Sequence, residues 1–235
     1  MAATSVAHMV EDTNAVVESG QPVICHGDAK LGELSFVCDG TIAGQIWGAG
    51  AALGRHLLLS GLPERPDVVE IGSGTGVAGI AAAAAGAKRV VLTDLPDEVA
   101  RLNNMIQHNS NAIDGADASA AALPWGDEAA ANAINGDEGF DLILAADVLY
   151  TDTPEVHANL RASLIHLARP RDGRILHAYE ERWPKIIKQW QEGLERCPQL
   201  KLVGTSVLPS PPSIRDGRRL VLEEYALTEE GLFGG

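Results

Sequence analysis

The chain has 235 residues, a length that holds one large α/β domain, and its 32 acidic against 18 basic residues leave a net charge of −14. That excess repels phosphate backbones and weighs against nucleic acid as a partner. The three cysteines have no C-x-x-C spacing and the seven histidines no H-x-x-x-H pair, which indicates neither a disulfide framework nor a metal site. No apolar run approaches the roughly 18 residues of a membrane span; the cysteine usage makes the cytosol, with nuclear access open, the expected compartment, and with no amphipathic heptad a monomer is expected.

Residues 1–40 read as an N-terminal extension with a small hairpin, built from Pro22-Val23-Ile24-Cys25 and Leu34-Ser35-Phe36-Val37, and residues 41–235 as a single globular domain. Trp47 to Ser60 has helical character until Gly61-Leu62-Pro63 stops it. Val68-Val69-Glu70-Ile71 is a buried strand that breaks into Gly72-Ser73-Gly74-Thr75-Gly76 and then into a small-residue helix from Val77 to about Ala85. Arg89 to Asp94 is a second strand, which ends in a carboxylate 18 residues after Gly76. Glu98 to His108 reads as a helix. The segment from Asn111 to Gly139 is loose, with a weak strand near Ala118 to Leu123 and a long mobile loop after it that carries Trp125.

Phe140 to Tyr150 is a further buried strand, ending in small residues and an Asp147-x-x-Tyr150 pair. Glu155 to Leu167 follows as a helix and Arg174 to Tyr179 as a strand. Trp183, Ile187, Trp190 and Leu194 recur at helical spacing, which predicts two core tryptophans. Leu200 to Val207 and Arg219 to Ala226 are the last strands, joined across Pro209-Ser210-Pro211-Pro212. Alternating strands and helices predict a mostly parallel, Rossmann-like sheet with helices on both faces.

The glycine turn and the acid after it form a nucleotide-binding βαβ unit, since glycines let a ligand approach the backbone and a strand-end carboxylate can hold a ribose. Gly74-Thr75-Gly76-Val77-Ala78-Gly79 also satisfies the dinucleotide spacing G-x-G-x-x-G. Glu70 discriminates between ligands: it would repel a pyrophosphate at close range, whereas a sulfonium with an ammonium, as in S-adenosylmethionine, suits it. A nicotinamide cofactor is the remaining fold-level alternative.

Taken in order, Gly44-Gln45-Ile46-Trp47, the Glu70 glycine turn, Asp94-Leu95-Pro96, Leu123-Pro124-Trp125 and Asp147-x-x-Tyr150 resemble the seven-strand class I methyltransferases, and among them the family-16 branch that includes protein-lysine methyltransferases. The resemblance runs from about Gly44 to Tyr179. It implies S-adenosylmethionine as cofactor and S-adenosylhomocysteine as product. It also implies cofactor contacts from Trp47, Glu70, Gly72, Ser73, Gly74, Asp94, Leu95, Trp125 and Ala145. Asp94 would accept both ribose hydroxyls, Trp125 would pack on adenine, Trp47 would lie near the methionine end, and Ala145 would be small so that the cofactor can cross the strand end. Each has a plainer reading beside it: Glu70 capping loop amides, Asp94 capping the following helix, Trp125 filling the core.

On the acceptor side, Asp147 and Tyr150 are the candidate catalytic residues, placed on one side of the cleft by a turn of helix just past a strand end. The plainer reading makes Asp147 a helix cap and Tyr150 a core residue. A lysine must lose its proton before it can attack, and a carboxylate alone favours the charged form, so Asp147 fits a positioning role better than that of a base. The expected reaction is methyl transfer to a protein lysine, for which an acidic surface suits a cationic target. A small-molecule N-methyltransferase and a non-catalytic cofactor- or partner-binding module are the alternatives. The groups after Tyr179, Glu180-Glu181-Arg182, receive no role.

Overall fold

A computed structural model describes residues 27–39, 41–62, 64–136, 138–209 and 218–228. Two short strands, β1 (Gly27–Leu31) and β2 (Leu34–Cys38), form an antiparallel hairpin that turns at Gly32-Glu33. The second strand is the expected one. Its partner is Gly27–Leu31, whereas the expected Pro22–Cys25 lies outside the described residues, as does most of the 209–212 connection.

The main body alternates strands and helices: α1 (Gly48–Ser60), β3 (Asp67–Ile71), α2 (Val77–Ala84), β4 (Arg89–Asp94), α3 (Val99–His108), β5 (Asp117–Ala122), α4 (Glu128–Asn135), β6 (Leu142–Ala146), α5 (Pro154–Leu167), β7 (Arg174–Glu180), α6 (Pro184–Glu195), β8 (Leu200–Leu208) and β9 (Leu220–Leu227). These strands form one seven-stranded sheet in the order β5-β4-β3-β6-β7-β9-β8. Pairing is parallel from β5 through β7, and β9 runs antiparallel to both its neighbours.

Because helices cover both faces, successive strand residues enter two different cores. Val68, Val90, Leu92 and Leu144 pack with α1, α2, α3 and the hairpin, through Leu53, Ile80, Leu102 and Phe36. Val69, Val91, Ile143 and Ile175 pack on the other face with α4, α5 and α6, through Ile134, Leu160, Leu164 and Trp190. The strand order reverses between β3 and β6, and at such a switch point the connecting loops diverge and leave a crevice at the carboxyl ends of the strands.

Two local expectations change. Glu128–Asn135 is helical, not a continuous loop; Asp127 caps it, its carboxylate accepting the Ala130 amide at 2.9 Å. Trp183 stands at the N-cap of α6 and is 43% exposed, so Trp190, fully buried, is the core tryptophan of that helix. Among the described residues no helix is long and apolar enough to cross a membrane.

Candidate functional site

A cavity of about 780 Å³ opens at the carboxyl ends of β3, β4 and β6, a volume within the usual range for small-molecule sites. Its floor is the turn between β3 and α2. Gly72, Gly74 and Gly76 all adopt positive φ, at 62°, 54° and 74°. A side chain at Gly72 would also press on Trp125, with the added Cβ 3.1 Å from Cζ2. The turn is pinned to β4: the Ser73 amide donates to Thr93 O at 2.9 Å, the Thr93 amide to Ser73 Oγ at 3.0 Å, and Thr93 Oγ1 to Glu70 O at 2.8 Å.

Two carboxylates mark one end of the cavity. Asp94 accepts the Gly74 amide at 2.7 Å on one oxygen and the Leu95 amide at 2.8 Å on the other. Each oxygen thus keeps a lone pair for a further donor, the requirement for holding a pair of neighbouring hydroxyls. Burial raises its pKa from the ordinary aspartate value against the pull of those two amides. Glu70 is 2% exposed and its Oε2 accepts the Gly79 amide at 3.0 Å, under the first turns of α2. Burial pushes its pKa up to about 8, the Gly79 hydrogen bond opposing and the charge of Asp94 adding to the rise. A cation in the cavity would favour ionised Glu70, in keeping with the ligand preference read from the sequence.

Above the turn, the 41–45 segment closes over the glycines, with Ala43 O within 3.0 Å of where a Gly74 Cβ would lie. Asp39 holds this segment: its Oδ1 accepts from the Thr41 amide at 2.9 Å, and its other oxygen pairs with Arg101. These hydrogen bonds, those from Thr41 foremost, lower the Asp39 pKa to about 2. Trp47 donates its indole N–H to Ile42 O at 2.9 Å and faces the cavity. Across from it, the rings of Trp125 and Tyr150 lie 5.9 Å apart at 44°.

The fold thus brings together Trp47, Glu70, Gly72, Ser73, Gly74, Asp94, Leu95, Trp125, Asp147 and Tyr150 around one cavity. Ala145 does not join them: it is fully buried in the core on the α5 side, and its neighbour Ala146 lines the cavity instead. The turn of helix expected at Asp147 is also absent. Residues 147–153 are irregular, Asp147 takes a left-handed φ of 55°, and Tyr150 is 59% exposed. Asp147 caps no helix of its own segment. Its oxygens accept the Ala49 amide at 3.2 Å and the Glu180 amide at 3.3 Å, and its carboxylate pairs with Arg182 at 2.6 Å.

Sequence reasoning missed Arg182, Trp183 and the Thr41-Ile42-Ala43 loop, all of which line the cavity. For Arg182 a signal was present: a cation and an aromatic directly after β7, at the same sheet end as the glycine turn.

The sheet order and the glycine-floored cavity define a class I methyltransferase fold. The chain is similar to magnesium protoporphyrin IX methyltransferase from Synechocystis PCC 6803, solved with SAM bound, at a TM-score of 0.50 and 17% identity over 75% of this chain and 77% of that one. More particularly, residues 35–196 match the family model described as lysine methyltransferase, and the chain belongs to that family. It is 31% identical over 159 residues to EEF1A lysine methyltransferase 3 of Mus musculus, covering 67% of this chain and 64% of the relative. It is 36% identical over 126 residues to protein N-terminal and lysine N-methyltransferase efm7 of Aspergillus fumigatus, covering 49% of this chain and 47% of that protein. The matches therefore span from about half to just under two thirds of these relatives' own length.

Proposed function

We propose that the protein is an S-adenosylmethionine-dependent methyltransferase that methylates a lysine side chain of another protein. The observation that carries this reading is Asp94 at the cavity, with one lone pair free on each oxygen, flanked by Trp125 for a flat ring and by Glu70 for positive charge. Bound there, S-adenosylmethionine supplies an electrophilic methyl group on a sulfonium. The chain's own part is to hold that end still, align the acceptor nitrogen for in-line attack, and exclude water. Trp47, Asp147, Tyr150 and Trp183 also line the cavity and serve the acceptor in this reading. The exposed Ile42, Leu95, Tyr150 and Trp183 side chains around its mouth favour a macromolecular acceptor, which can cover apolar surface that a small molecule would leave wet. The names of the relatives point to protein lysines as well.

Calorimetric titration with S-adenosylmethionine and S-adenosylhomocysteine, on the wild type and on Asp94→Ala, tests the cofactor site. Micromolar binding weakened tenfold or more, about 1.4 kcal/mol, is expected. Transfer of labelled methyl to lysine in a protein mixture then tests the acceptor; no binding by the wild type refutes the reading at its first step.

A further inference from the structure

An ion cluster borders the cavity at Asp147, the side that the proposed function gives to the acceptor. Arg182 follows β7 and its side chain is 8% exposed. Its Nη2 donates to Asp147 Oδ1 at 2.6 Å, and its Nε lies 3.5 Å from Glu180 Oε2, an ion-pair separation without a formed hydrogen bond. The guanidinium is flanked by two indoles, 4.9 Å from the Trp47 ring centre and 5.1 Å from that of Trp183. Glu180 in turn accepts from Arg218 at 3.0 Å. Asp147 and Arg182 thus form a pair of opposite charges, with Glu180 and Arg218 paired beside them, in a chain whose net charge is −14. Farther out, Glu181 pairs with Arg219 and Asp152 with Lys185. Glu70, Asp94 and Glu98 also line the cavity.

The pairing of Asp147 with Arg182 bears on the chemistry. A lysine ammonium, with a pKa of about 10.4 in water, is a poor nucleophile until it loses its proton. A lone carboxylate within reach would raise that pKa by about 1–3 units, and a guanidinium opposes the rise. Stacking between two indoles holds the planar cation in place through the faces of the rings while its edge meets Asp147.

We propose that Arg182 is a positioning residue that cancels the charge of Asp147 at the acceptor end, so that an arriving lysine can shed its proton before it attacks. The inference rests on the lysine-methyltransferase reading. The ammonium proton passes to water at the cavity mouth. The nitrogen lone pair then forms the N–C bond as the C–S bond breaks, its electron pair going to sulfur and the positive charge to the methylated nitrogen.

The test is the pH dependence, from about 6.5 to 10, of initial methyl incorporation into lysine by the full chain. Labelled S-adenosylmethionine is the donor, and a dialysed cell lysate with its own methyltransferases inactivated supplies acceptors at subsaturating concentration. Arg182→Gln is expected to move the midpoint of the rising limb up by about one pH unit, a tenfold loss of rate at neutral pH that is recovered at high pH. Arg182→Lys, which keeps the charge, should hold the wild-type midpoint. Asp147→Asn should move it down, and Arg182→Gln combined with Asp147→Asn should return it close to the wild-type position. A purely structural arginine would lower the rate equally at every pH, and an unmoved midpoint in folded Arg182→Gln overturns the proposal. If Arg182→Gln does not fold, Arg182→Gln combined with Asp147→Asn decides against Asp147→Asn alone: a double variant whose midpoint stays at the Asp147→Asn position overturns the proposal. Wild-type protein that labels no lysine at any pH refutes the underlying reading instead, and the role of Arg182 falls with it.

Discussion

Gly79 sits inside α2, where alanine would ordinarily be preferred by about 1 kcal/mol. Here the helix lies so close to the sheet that an added Cβ would stand 2.8 Å from Glu70 Oε2 and nearer still to Leu92 Cδ2. Both neighbours are buried, Glu70 at 2% and Leu92 at 0% exposure, so neither can swing into solvent. Overpacking of this kind costs about 1–3 kcal/mol. Lifting the helix also stretches the Gly79 amide from Glu70, now at 3.0 Å, and a buried carboxyl group that loses its donor costs about 1–3 kcal/mol more. Against the propensity gain, Gly79→Ala should be destabilised by about 1–5 kcal/mol, which for a domain of this size lowers Tm by roughly 2–20 °C. Urea unfolding followed by tryptophan fluorescence measures the difference. A variant as stable as the wild type, or more so, would show that α2 has room above the sheet and that the close-packing account is wrong.

Three further outcomes follow from the same physical chemistry. Glu70, with its pKa near 8, is largely protonated in the empty site at neutral pH, and a cationic ligand selects the ionised form; binding of S-adenosylmethionine should release a proton and tighten with rising pH up to about 8. Glu70→Gln should abolish that release, measured by calorimetry in buffers of different ionisation enthalpy. Because a raised carboxyl pKa withdraws stability as pH climbs, it should also leave the empty protein more stable at pH 8. Glu223 shows the opposite sign: burial alone would raise its pKa, but His177, Tyr225 and Tyr179 outweigh burial and lower it. Its contribution is therefore present above the ordinary carboxylate pKa and fades as pH falls through the lowered value, so Glu223→Gln should be destabilised at pH 7 and the gap should narrow only as pH falls below the ordinary carboxylate pKa, by urea unfolding. Asp127→Ala removes the cap of α4 and should cost about 1 kcal/mol, seen as faster amide exchange in that helix.

The βαβ floor of the site was legible because each of its signals is local: an apolar run, a cluster of glycines whose left-handed backbone few other residues adopt, and an acid at the next strand end. The face of β6 that meets the cavity was not. Helices bury both faces of a parallel sheet, so Ala145 and Ala146 carry the same composition signal and only the register separates them. Trp183 shares the spacing of the α6 stripe but stands at its N-cap, where the chain has left the helical path. α4 was hidden by an Asn- and Gly-rich surround although Asp127-Glu128 announced its start. Arg182 and the 41–45 loop reach the site through tertiary contacts, Arg182 meeting Asp147 35 residues away and Asp39, which anchors the loop, meeting Arg101 62 residues away.

The position of β9 constrains how the molecule can be made. It lies between β7 and β8, yet it is the last of the three to emerge during synthesis. Until Leu220–Leu227 arrives, β7 has a bare edge and β8, with the exposed Leu202, Val203 and Val207, has no neighbour in the sheet. A chain that lost β9 would present open strand edges able to recruit other strands in place of its own. Quality control of this protein is thereby tied to β9, and a frameshift before Leu220 should prove as damaging as one within the glycine turn.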